Sequence, residues 1–158
     1  MKIVGEKSIA PFIKICLQIL FVVGILLMFV LPFLGVKYYA KFLFYPFLFI
    51  FLGIIYLTGI PALIILTDFI HLFNLLKENN PFIDQTVGYL KQASICCFII
   101  TVCYIALVGF SFWISNIHFI IFTSIVMAVF AIAWIGLYIL AELFKQANQY
   151  KEENDLTI

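Results

Sequence analysis

Asp68, His71 and Asn74 stand at i, i+3 and i+6 within TDFIHLFNLLK. On a helix that spacing lays a carboxyl, an imidazole and a carboxamide along one stripe. An acid beside an imidazole is the pair an ion or proton site uses, and ionisable groups inside a bilayer are functional by default. Position along the chain argues the other way. Asp68 lies more than a span's length beyond Lys41, so the expectation is a solvated carboxylate at headgroup level, on an amphipathic exit from the membrane. Glu142 and Lys145, at i and i+3 near the end of the last apolar run, read as a helix-surface pair. No HExxH, glycine-rich phosphate loop or G-x-S-x-G occurs, so no catalysis and no cofactor are expected. With only two histidines, His71 and His118, a histidine-rich metal site is excluded. Cys16, Cys96, Cys97 and Cys103 fall in or beside apolar runs; the adjacent pair lacks a metal-ligand spacing, and all four read as packing residues.

The elements that must position these residues follow from composition. Of 158 residues 66% are hydrophobic and 11% charged, whereas a globular chain is about a quarter charged. Apolar runs approach the roughly 20 residues that cross a bilayer. The fold class is therefore all-α: a polytopic membrane protein with four transmembrane helices in two hairpins. The spans are expected at about 13–34, 42–66 with helix continuing to 76, 93–115 and 117–143. A loop at 77–92 and a tail at 144–158 join or follow them. Pro61 marks a kink in the second span. The first run is long enough to span and lacks a small-residue cleavage site, so it reads as a retained anchor. Lys2, Lys7, Lys14, Lys77, Lys91, Lys145 and Lys151 fall on one side of the spans and only Lys37 and Lys41 on the other. Short lysine-rich segments stay inside, which puts both termini and the central loop in the cytoplasm and the protein in the cytoplasmic membrane. Every basic residue is lysine and the net charge is +1, which excludes a direct nucleic-acid role.

Partners must then meet the loop KENNPFIDQTVGYLKQ and the tail YKEENDLTI. Asn80-Pro81 ends the second helix, and Asp84 is placed to N-cap a helix beginning near Gln85. Glu78, Asp84, Glu152, Glu153 and Asp155 make an acidic cluster suited to a basic partner. Beyond those charges, Leu156 and Ile158 flank Thr157. Two apolar side chains so spaced suit strand addition to a partner, or a flexible tail folding back near Phe82 with its acids beside Lys77 and Lys91. The intramolecular dock is the expectation, held by the apolar pair, since exposed ion pairs contribute only about 0–1 kcal/mol.

KENNPFIDQTVGYLKQAS and AELFKQANQYKEENDLTI resemble, over nearly the whole chain, the bacterial membrane proteins of the domain-of-unknown-function 2975 family. The most specific features are Pro81-Phe82 and the ending from Glu153 to Ile158. Where family loops carry Asn-Val-Lys, this chain reads Thr86-Val87-Gly88, so no role for that asparagine or lysine carries over. The resemblance implies a four-span protein with no assigned activity, encoded beside a small helix-turn-helix regulator of the Cro type. The expected function is a non-catalytic regulatory or scaffold protein docking such a regulator. The alternative is a small transporter, channel or immunity-like membrane-protection protein. The expected partners are the lipid bilayer, such a regulator and, in a homo-oligomer, a second copy of the chain.

Overall fold

The computed structural model describes residues 9–34, 45–77, 84–114 and 117–155. They form four helices: α1 (Ile9–Leu34), α2 (Tyr45–Lys77), α3 (Asp84–Ile114) and α4 (Ile117–Asp155). Each carries a stretch long and apolar enough to cross a membrane: Phe12–Leu34, Leu52–Leu75, Asp84–Phe112 and Ile117–Lys151. Asp84 occupies the first turn of α3, where its negative charge meets the helix's positive end. Pro61 lies inside α2, which continues through it.

The helices pack in chain order. α1 touches α2, α2 touches α3 and α3 touches α4, and among the described residues no other pair meets. The array is an open row rather than a closed bundle. Its centre is α3: 39% of the spanning stretch of α3 is buried, against 0%, 11% and 6% for α1, α2 and α4. α3 and α4 run in opposite directions. Ser111 meets Thr123 close to the α3–α4 turn, Ser94 reaches Trp134 further along, and Asp84 reaches Asn148 near the far end.

The buried residues of α3 explain its place. Thr86, Leu90, Ala93, Cys97 and Ile100 alternate steps of four and three, and Leu107 and Ser111 continue the same register. Steps of three and four keep one stripe facing a neighbouring helix. Ser94 and Thr101 widen the stripe on one flank and Cys96 on the other, as a helix covered by two neighbours requires. The approach of α1 to α2 depends instead on glycine. A Cβ on Gly24 would lie 2.9 Å from Leu63, and one on Gly59 would overlap the Met28 side chain. Small residues let spans come close where lipid supplies no hydrophobic drive for helices to associate.

The tail departs from expectation. Residues 144–155 are not an extended flexible segment but the last turns of α4. AELFKQANQYKEEND is rich in Ala, Leu, Glu, Lys and Gln, strong helix formers, and contains no Gly or Pro. A high charge density is compatible with helix where the alternative is coil. At 1.5 Å per residue, the 39 residues of α4 reach roughly 58 Å, about twice the hydrocarbon thickness.

Candidate functional site

Asp68 is the centre of the site. The expectation of a solvated carboxylate is corrected: Asp68 is 4% exposed, and its Oδ2 is fully buried with no hydrogen-bond partner among the described residues. The cause is a neighbour, not depth along α2. Here α3 lies against α2, with the Tyr89 ring stacked on His71 at 5.4 Å and 11°, and Cys96 within electrostatic reach of Asp68. His71, one turn beyond Asp68, is exposed but close enough to act on the carboxylate. Asn74 is half-buried on the same stripe. The stripe is therefore a helix contact, and a carboxyl held in an apolar contact must be neutral or matched by a cation.

Two more orphaned oxygens lie at the α3-start end of the row. Thr86 is 2% exposed and its Oγ1 has no partner among the described residues. Asn148 on α4 is 7% exposed; its Nδ2 donates to Asp84 Oδ1 at 3.5 Å, while its Oδ1 is buried and unpartnered among the described residues. That bond sits at the geometric limit. It nevertheless shows the later turns of α4 still resting on the first turn of α3.

The opposite end is satisfied. Ser111 and Thr123 are 0% and 1% exposed, with oxygens 3.4 Å apart. Ser111 donates to the Leu107 carbonyl at 2.6 Å and Thr123 to the Phe119 carbonyl at 2.8 Å. Each hydroxyl has one hydrogen, so only one can donate across the interface at a time while the other bonds its own helix. In the middle, Ser94 donates to the Trp134 carbonyl at 3.2 Å and Thr101 to the Cys97 carbonyl at 2.8 Å.

Of the docking residues anticipated from sequence, Asp84 is exposed and bonded to Asn148, and Glu153 is exposed in the last turns of α4. Glu152 and Asp155 lie in the same turns. Glu78, Pro81, Phe82, Leu156 and Ile158 lie outside the described residues, and with them the expected fold-back of the tail. The four cysteines are free thiols, Cys96 and Cys97 buried and Cys16 and Cys103 half-buried. Sequence reasoning missed Thr86, Tyr89 and Asn148; Cys96 was expected only as a packing residue, and it is buried. The signal for Thr86 was in the chain: extended backwards, the three-and-four spacing of Leu90, Ala93, Cys97 and Ile100 lands on it.

The family described as protein of unknown function (DUF2975) matches residues 35–158. No curated protein and no solved structure matches the chain. The matched region takes in α2, α3 and α4 with every residue of the site, and leaves out α1, whose spanning stretch has no buried residue among those described.

Proposed function

Because the chain belongs to the DUF2975 family, whose description assigns no activity, we propose its role from geometry: a non-catalytic regulatory or scaffold protein of the cytoplasmic membrane that docks a cytoplasmic partner. One observation carries this reading. α4 is a single helix from Ile117 to Asp155, and Asn148 ties its later turns to Asp84 at the start of α3. A partner gripping those turns would pull directly on the spanning segments, with no flexible joint between. Such a partner is basic, because Glu153 and Asp84 are exposed there and Glu152 and Asp155 share the last turns. A small helix-turn-helix regulator fits that chemistry, since its DNA-binding lysines and arginines would be held away from phosphate. In this arrangement both termini and residues 77–92 face the cytoplasm and the helices form two hairpins.

The experiment is capture from detergent-solubilised membranes with and without residues 150–158. A co-purifying regulator lost on truncation is the expected result; equal recovery removes the docking role. Sidedness is tested by cysteine labelling at Asn116 and Gln149. Gln149 is exposed, whereas Asn148 would shield a label. The two positions should label from opposite faces, and labelling of both from outside would overturn the topology.

A second reading, a small transporter or channel, is favoured by one observation: the buried, unpartnered Oδ2 of Asp68 inside the candidate span Leu52–Leu75. Proton-dependent flux in vesicles, abolished by Asp68→Asn, would select it over docking.

A further inference from the structure

Between α3 and α4 lies an open groove of about 190 Å³, lined by Lys91, Ser94, Ile95 and Phe98 on one side and Trp134 and Tyr138 on the other. Its floor is apolar and braced. The Phe98 and Trp134 rings meet at 4.9 Å and 50°, and the Ser94 hydroxyl is already engaged by the Trp134 carbonyl. Ile95, Phe98 and Tyr138 are 56%, 44% and 53% exposed, so the groove opens sideways onto the surface that α3 and α4 turn to lipid.

Lys91 stands at the end nearest the start of α3. It is exposed and has no ion pair among the described residues. Tyr138, one turn past Trp134 towards the end of α4, brings a phenol nearer to that lysine. From Lys91 to Ile114 the helix rises roughly 35 Å, so Lys91 lies at one membrane interface when Ile114 reaches the other. Drug-sized ligands occupy enclosed sites of roughly 300–1,000 Å³. This groove is smaller and open along its length, a shape for a linear apolar chain laid against the protein. Basic positions between spans at an interface attract anionic headgroups. A soluble anion would leave the apolar floor unused, and a zwitterionic lipid would leave Lys91 without a net countercharge.

We propose that the groove binds one anionic phospholipid, its acyl chain over Ile95 and Phe98 against Trp134, its phosphate at Lys91 and its headgroup edge at Tyr138. This does not depend on the docking role.

The chain has two tryptophans, so Trp113→Phe leaves Trp134 as the reporter in the full-length protein. The protein is reconstituted in phosphatidylcholine vesicles containing a minor fraction of phosphatidylglycerol with brominated acyl chains, or the same fraction of brominated phosphatidylcholine. Bromine quenches an indole it touches. Phosphatidylglycerol should quench Trp134 at about fivefold lower mole fraction, the effect of one lysine beside a headgroup. Lys91→Gln should remove the preference, Lys91→Arg should keep it, and Lys151→Gln should leave it unchanged. Native mass spectrometry of the unsubstituted chain in detergent supplies the second measurement. One retained phosphatidylglycerol, absent in Lys91→Gln, is expected. Equal quenching by both lipids overturns the site. So does a preference that survives Lys91→Gln, or one that falls equally with Lys151→Gln and therefore reports only overall charge.

Discussion

Beside the α3–α4 turn, Ser111 and Thr123 are fully buried; each hydroxyl has a carbonyl of its own helix in reach and the two oxygens lie 3.4 Å apart, so one donates along its own helix while the other can donate across. Across the row, where α3 begins and α4 ends, Thr86 and Asn148 are nearly as enclosed, yet each keeps an oxygen without a partner among the described residues. Asp68 on α2 does the same. A buried threonine stands in each region, so that residue type alone does not separate them. Satisfaction does. A polar layer with its bonds made fixes register between helices. A buried oxygen left unbonded costs stability, and its retention calls for a reason outside the fold.

The largest break in that contrast comes from filling the satisfied end. Ser111 is 0% exposed, and Ser111→Leu forces added carbons against Thr123 and the α4 backbone. Overpacking of this kind costs typically 1–3 kcal/mol, and with so little room the loss should approach about 3 kcal/mol. Thermal unfolding in detergent, followed by circular dichroism, measures it. An unchanged midpoint would mean that the turn end is looser than its burial implies.

A smaller effect of opposite sign is expected at Asp68. Asp68→Leu preserves side-chain shape and removes the unpartnered oxygen, so stability should rise by about 1–2 kcal/mol, part of the usual penalty for an unsatisfied buried group. Partner capture or flux should fall in the same variant if the acid is kept for function. A loss of stability would instead reveal a structural partner for the carboxylate.

Much of the fold was legible because it is written in one dimension. Apolar length marks four helices long and apolar enough to cross a membrane. The start of α3 at Asp84 falls within a residue of the expected cap, inside the usual scatter of helix boundaries. What was not legible depends on a second helix. Counting residues from Lys41 measures how far α2 has travelled, but Asp68 is buried on a part of α2 against which α3 packs, one turn from the His71 ring on which Tyr89 of α3 stacks. Asn148 sits among charges in KQANQYKEEND and reads as surface, yet the first turn of α3 covers it. The tail's helicity was available in principle, since helix propensity is a local property; charge density masked it.

The finest test of the contrast is a matched pair of near-isosteric changes, Thr123→Val and Thr86→Val. Each deletes one hydroxyl and adds one methyl at a site at most 2% exposed, so packing changes nearly cancel between them. Thr123 loses a donor that bonds the Phe119 carbonyl and meets Ser111. Hydrogen bonds between spans average only about 0.6 kcal/mol, because chains unfolded within a membrane also find partners. Thr123→Val should therefore lower stability by about that amount. Thr86 loses a hydroxyl with no partner among the described residues, so Thr86→Val should be neutral or raise stability by a few tenths up to about 1 kcal/mol. Neither shift alone is large, but their signs differ, and a common error in baseline or detergent cancels in the difference. Equal losses in both variants would mean that Thr86 is bonded after all, through residues 78–83 or a ligand, and that the end where α3 begins is as structural as the end beside the turn.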